Sequence, residues 1–259
     1  MGDPIGHRKG APMGQAIAIV SGKGGTGKTS LTAGVGSALS LLGKRVLCID
    51  CDVGLRNLDL SLGLSDRAMM DFSDVITGRC TFENAAAQHP QLPNLYLLTA
   101  PMRLREGEVS PEQMKKFLHA AASVFDYCLL DAPAGLGEGF DLAIAGADRV
   151  IVVANTDASS LRDAQHTVSL LSRFPVGKIH LVVNRVQKSL LKALHTTIDD
   201  AMDAAGLPLL GVVPEDELMT VALNRGIPLL LTGDKHASKA YRNIARRING
   251  ERIPLMKIK

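Results

Sequence analysis

The sequence predicts an α/β fold, a mostly parallel central sheet flanked by helices on both faces. Three observations predict it. Short apolar runs alternate along the chain with stretches of helical periodicity. The first apolar run leads directly into a glycine-rich loop and then a helical pattern, the order of a strand–loop–helix unit. Two later apolar runs end in aspartates, at the strand ends where open α/β sheets carry their ligands.

Ala16–Val20 reads as the first buried strand. The segment Ser21-Gly-Lys-Gly-Gly-Thr-Gly-Lys-Thr-Ser30 follows. It contains Gly22-x-x-x-x-Gly27-Lys28-Thr29, the P-loop pattern for a nucleoside triphosphate. Gly22, Gly24, Gly25 and Gly27 are expected to allow φ > 0 and close approach, so that backbone N–H groups form an anion nest. The candidate nucleotide-binding run is Gly22, Lys23, Gly24, Gly25, Thr26, Gly27, Lys28, Thr29 and Ser30. Lys28 is placed to reach the β- and γ-phosphates and the Thr29 hydroxyl to ligate Mg²⁺. The helix is expected to start near Lys28, where its dipole favours an anion. Leu31, Val35, Leu39 and Leu42 mark its buried face, and Gly43 its stop.

The next strand, Val46–Asp50, ends in Asp50-Cys-Asp52, two acids on one face of an extended segment. Both acids could face Mg²⁺ or an attacking water. Asp52 is a candidate Mg²⁺ ligand beside Thr29 and the candidate to orient the water, and a weakly basic carboxylate there implies slow turnover. Tyr127–Asp131, followed by Ala-Pro-Ala-Gly135, reads as a second strand ending in a Mg²⁺-holding acid, Asp131. Gly135, Gly137 and Gly139 suggest a mobile switch segment behind it. Other strands are expected at Leu95–Thr99, Arg149–Ala154, Ile179–Asn184 and Leu209–Val213. Helices are expected at Lys28–Leu42, Pro111–Val124, Ser159–Ser172, Ser189–Ala205 and Ala237–Asn249, with Ser110-Pro111 opening the second.

The bulk numbers narrow the classes. A chain of 259 residues that is 46% hydrophobic can bury a sizeable core. With no internal repeat or long linker it reads as one domain over 16–254. A disordered tail (1–15) precedes it and a short tail (255–259) follows. A net charge of +3 does not by itself imply a nucleic-acid partner. No run reaches the ~20 apolar residues of a membrane span, and Met1–Gln15 is not a signal peptide. Cys48 and Cys51 form a Cys-x-x-Cys, but residues three apart on a strand face opposite ways and no second ligand pair follows. Cys48, Cys51, Cys80 and Cys128 therefore read as structural thiols in a reducing cytoplasm.

Taken together, these segments resemble the MinD/ParA group of P-loop ATPases, the deviant Walker A proteins of the SIMIBI class, and most closely the branch that places the division septum. The carrying residues are Lys23 and Lys28 in the loop, Ile49-Asp-Cys-Asp52-Val-Gly-Leu-Arg56-Asn57-Leu-Asp59-Leu, Asp131-Ala-Pro-Ala-Gly135, Ser159-Ser-Leu-Arg-Asp163 and Val213-Pro-Glu-Asp216. The resemblance spans roughly Ala16 to Pro254. It implies a spatial regulator of cell division that cycles between an ATP-bound homodimer and an ADP-bound monomer, using Mg²⁺. It also implies a division inhibitor and an ATPase-activating protein as partners. Lys23 would be the signature lysine that reaches the phosphates of the other protomer, where facing triphosphates need cross-neutralising cations. Asn184, Pro214, Glu215 and Asp216 would surround the adenine, the Asn amide offering both donor and acceptor. No Asn-Lys-x-Asp pattern points to guanine.

The family's terminal amphipathic helix has no counterpart after Pro254, since Leu255-Met-Lys-Ile-Lys259 is too short for a stable helix. The expected location is cytoplasmic, with peripheral contact at the inner membrane face left open. Eight Lys/Arg against one acid lie between Lys235 and Lys259, around an apolar stripe of Tyr241, Ile244 and Ile248. This reads first as a docked helix with a solvated basic face, and second as a contact for anionic lipid or, less readily, DNA. The alternative function is another ParA-type positioner, acting on flagella or on chromosome and plasmid partition. An iron–sulfur scaffold ATPase would need paired cysteines late in the chain, and none follows Cys128. A ligase of the dethiobiotin-synthetase type would not need Lys23.

Overall fold

The computed structural model describes residues 12–258, apart from Ala68. The first eleven residues of the expected tail lie outside the described residues. Gly14 and Gln15 do not belong to a free tail, because their N–H groups donate to Ala122 O and Asp126 O at 2.8 and 2.9 Å.

β1 (Gln15–Val20) feeds α1 (Lys28–Leu41). β2 (Val46–Asp50) is followed by three short helices, α2 (Leu58–Leu62), α3 (Phe72–Ile76) and α4 (Phe82–Ala85), then by β3 (Ala87–Gln88) and β4 (Leu95–Leu98). Next come α5 (Pro111–Ala122), β5 (Tyr127–Asp131), α6 (Glu138–Ala145), β6 (Arg149–Ala154) and α7 (Ala158–Leu170). The chain continues through β7 (Ile179–Val186), α8 (Lys188–Leu194), α9 (Ile198–Ala205), β8 (Leu209–Pro214), α10 (Leu218–Asn224) and α11 (His236–Ile248). The strands form one sheet in the order β3-β4-β2-β5-β1-β6-β7-β8, with every pair parallel except β3–β4.

Alternation along each strand divides the core between two faces. Ile17, Ile19, Leu129, Ile151 and Val182 pack with α1 and α11. Ala18, Leu130, Val152 and Leu181 pack with the layer containing α5, α6 and α7. Cys48 and Cys51 fall on opposite faces, both buried, and all four cysteines are free thiols. Burial pushes the Cys51 thiol well up.

The layers sit close where glycine permits it. A Cβ on Gly34 of α1 would lie 2.2 Å from the ring of Tyr241 on α11, and that ring is fully buried. Gly34→Ala should cost about 1–3 kcal/mol through overpacking and lower Tm by several degrees. Thermal unfolding by circular dichroism checks this, and an unchanged Tm would contradict so tight a contact.

Three kinds of departure from the sequence expectation occur. The predicted helix Ser189–Ala205 is two helices. His195 takes a left-handed conformation (φ 51°), and Thr197 opens α9 with a capping box to Asp200. Residues 138–145 are helical rather than an open glycine loop, and a Cβ on Gly139 would lie 2.6 Å from Pro133, so this glycine serves close packing. The helices α2, α3, α4 and α10 run for 4–7 residues, too short for periodicity to show.

The C-terminal basic helix is docked, with Tyr241, Ile244 and Ile248 buried. Its charges are largely engaged. Arg242 pairs with Asp234 and Arg246 with Glu251, while Arg247 donates to the carbonyls of Leu210, Ile253 and Pro254. Among the described residues no helix is long and apolar enough to cross a membrane.

Candidate nucleotide site

The parallel strands β1, β2, β5, β7 and β8 deliver their carboxyl ends to one cavity of about 910 Å³. Gly24, Gly25, Gly27, Lys28, Thr29, Ser30, Asp52, Asn184, Pro214, Glu215 and Asp216 all line it. Gly22, Lys23, Thr26 and Asp131 of the expected set do not. Each has a visible reason.

Gly22 is tight for packing rather than for phosphate approach, since a Cβ there would lie 2.6 Å from Asp163 O on α7. The expected positive φ occurs only at Gly25 (77°) and Gly27 (90°) within the loop. Thr26 is turned inward, its Oγ1 buried with no hydrogen-bond partner. Asp131 sits behind Thr29, its carboxylate accepting from the hydroxyls of Thr29 and Thr32. Burial, opposed by these bonds, pushes its pKa up to about 7.

Lys28 is buried and donates from Nζ to Ser21 Oγ at 2.8 Å. Burial pulls its pKa down, while Asp131 and then Asp52 pull it up. A half-desolvated cation at the start of α1 is a strong phosphate ligand, because the low local dielectric magnifies its charge. The Thr29 hydroxyl gives its proton to Asp131, which leaves its lone pairs for a hard cation. Among the described residues no group of three or more His, Cys, Asp or Glu could hold a metal by itself. These donors therefore fit a Mg²⁺ completed by phosphate oxygens, held at Thr29 with Asp131 behind it.

Asp50, expected to share a face with Asp52 toward Mg²⁺ or an attacking water, is instead turned into the loop that carries Asp52. Its side chain is fully buried, Oδ1 accepting from Asp52 N at 2.8 Å and Oδ2 from Leu58 N at 3.1 Å. These bonds close the loop between β2 and α2, which carries Asp52 and the left-handed residues Gly54 and Arg56. Burial raises the Asp50 carboxyl to about 6, against those two N–H bonds. Asp52 is half-buried, its pKa raised by burial and lowered by Lys28. Asp50→Ala should strand the buried Leu58 N–H at about 1–3 kcal/mol, free the part-buried Asp52 N–H and loosen the Asp52 loop. Hydrolysis should then fall further than nucleotide affinity. Parallel titration and turnover assays check this, and equal losses in both would contradict it.

The residues expected on the base side form a framed wall of the cavity. Asn184 is buried, and its Nδ2 donates to Thr26 O at 2.7 Å, so half the amide braces the P-loop rather than facing a base. Arg185, left-handed at φ 55°, donates to both Glu215 oxygens (2.8 and 3.2 Å) and reaches Gly25 O at 3.4 Å. It ties the P-loop to the loop after β8, a role that no local pattern in the sequence announces.

Lys23 points out of the cavity. Its Nζ donates to Asp157 Oδ1 at 2.9 Å and Ser159 Oγ at 2.8 Å. Asp157 also caps α7 through Ser160 N. Burial would raise the Asp157 carboxyl, but the bonds from Lys23, Ser160 and Ser159 hold it below its ordinary value. The Lys23 and Asp157 side chains are 31% and 47% exposed, and an ion pair in such surroundings contributes about 0–1 kcal/mol. Releasing Lys23 is therefore cheap.

Residues 17–229 match the CobQ/CobB/MinD/ParA nucleotide binding domain. The septum site-determining protein MinD of Bacillus subtilis is 42% identical over 246 residues, 94% of this chain and 92% of that protein. Among solved structures, the MinC:MinD cell division protein complex of Aquifex aeolicus aligns with a TM-score of 0.85 at 38% identity, covering 94% of this chain and 98% of that one. MinD from Pyrococcus horikoshii, complexed with Mg-ADP, aligns with a TM-score of 0.79 at 30% identity, covering 92% and 96%.

Proposed function

Because the chain belongs to the CobQ/CobB/MinD/ParA nucleotide-binding family, we propose that its P-loop cavity drives a cycle between an ATP-bound homodimer and an ADP-bound monomer. The protein is a MinD-like ATPase, a regulator of septum placement in cell division that uses ATP, ADP and Mg²⁺. The observation that carries the dimer reading is Lys23. A second P-loop lysine, held at the cavity's rim only by a partly exposed pair to α7, is free to serve phosphates it does not itself enclose.

In this reading Lys28 and the N–H groups at the start of α1 hold the β- and γ-phosphates. Bound at Thr29, Mg²⁺ would neutralise charge on those phosphates. Asp52, fixed by Asp50, orients the attacking water, and Lys23 of the facing protomer offsets charge that grows in the transition state. Asn184, Pro214, Glu215 and Asp216 frame the adenine. A carboxylate is a weak base at neutral pH even where burial raises its pKa, so turnover is slow until a partner completes the site. The partner set is a MinC-like division inhibitor and an ATPase activator. The location is cytoplasmic, with nucleotide-dependent contact at the inner membrane face.

Co-sedimentation with anionic liposomes and with plasmid DNA, each in ATP and in ADP, tests this assignment. Liposome binding in ATP alone is the expected result. ATP-dependent DNA binding without liposome binding would contradict it in favour of a partition ATPase.

A further inference from the structure

The amino ends of the strands, opposite the nucleotide cavity, carry a second cluster of polar groups. Tyr127 opens β5, Arg149 opens β6, and His180 is the second residue of β7. By strand alternation all three share the sheet face of Ile17, Leu129, Ile151 and Val182, the face that α11 covers. Asn249, the C-cap of α11, closes the cluster, with the Tyr127 hydroxyl donating to its Oδ1 at 3.3 Å.

Two cations or potential cations in this cluster have no carboxylate partner among the described residues. Arg149 is half-buried beside the Tyr127 hydroxyl, which favours its charge, and among the described residues no carboxylate forms an ion pair with it. Burial holds its guanidinium below the ordinary value. His180 Nδ1 is buried with no hydrogen-bond partner, and burial, then Arg149, lowers the imidazole. Of the adjacent carboxylates, Asp148 accepts from Ala16 N and Asp126 from Arg45 N, both at 2.8 Å. Arg149 is not spent on the end of α11 either. The carbonyls of Ala245, Arg246 and Arg247 accept from Asn249, Glu251 and Gly250 N–H groups.

A half-desolvated guanidinium without an anion is costly, and its fork of N–H donors matches an oxyanion in bidentate fashion. An imidazole nitrogen on the neighbouring strand adds a donor from a second direction. We propose that Arg149 and His180 form an oxyanion site at the amino ends of β6 and β7 that takes a phosphate group, either free or as a phospholipid headgroup.

The test uses the full chain saturated with Mg-ADP, so that the P-loop is filled. Inorganic phosphate, titrated against chloride at constant ionic strength, should raise Tm by about 5 °C at saturation. It should also move the ¹⁵N resonance of His180 Nδ1. Arg149→Met, which keeps the aliphatic stem, should abolish the Tm shift, and His180→Asn should reduce it. Vesicles of phosphatidylglycerol distinguish the two sources. Arg149-dependent co-sedimentation displaced by phosphate assigns the site to a headgroup, and a phosphate response without vesicle binding assigns it to the free ion. No Tm or ¹⁵N response to phosphate and no Arg149-dependent vesicle binding would overturn the site. So would a response that persists in Arg149→Met.

Discussion

Lys28→Ala should abolish nucleotide binding and, with it, any ATP-dependent dimer. Lys28 is the buried cation at the head of α1, flanked by Asp131 and Asp52, and no other described lysine lines the cavity. Its removal leaves the phosphates facing two carboxylates whose charge it had offset. Removing one partner of a buried charge set costs about 3–5 kcal/mol, or a loss of two to three orders of magnitude or more in affinity. Isothermal titration with Mg-ADP measures it. Affinity within tenfold of wild type would show that the loop does not hold the phosphates through this residue.

Lys23→Ala should behave differently. Lys23 does not line the cavity, so binding of nucleotide by the monomer should stay within a fewfold of wild type. Its present bonds to Asp157 and Ser159 contribute little, so stability should also change little. Hydrolysis should fall by about 10²-fold or more, the cost of losing one donor aimed at developing charge. Asp157→Ala separates this account from a purely local one. If Lys23 serves only Asp157, both variants should hydrolyse ATP at the wild-type rate. If Lys23 crosses to a partner, the first should lose activity and the second should keep it.

Elements carried by a contiguous pattern were legible in the sequence. The P-loop run, the strands ending in Asp50 and Asp131, and the helix from Lys28 could be read because neighbours in sequence are neighbours in space. The strand Val46–Asp50 and the strand Tyr127–Asp131 lie as expected, and their last residues pair in register, Asp50 beside Asp131. Roles that depend on distant elements were not legible. Asn184 braces Thr26 across 158 residues, and Arg185 reaches Glu215 across 30. Asp157 is an ordinary helix cap until the fold brings Lys23 to it. The break at His195 needed a left-handed non-glycine residue, which sequence preferences disfavour. The glycines after Asp131 suggested mobility, whereas Gly139 is the small residue that lets α6 approach Pro133.

Sedimentation equilibrium of the wild-type chain in Mg-ATP and in Mg-ADP tests the nucleotide-switched dimer most directly. The account predicts a mass near twice the 27.5 kDa chain in ATP and near one chain in ADP, with Lys28→Ala at one chain in both. An equal mass in ATP and ADP, or a dimer that persists in Lys28→Ala, would contradict it.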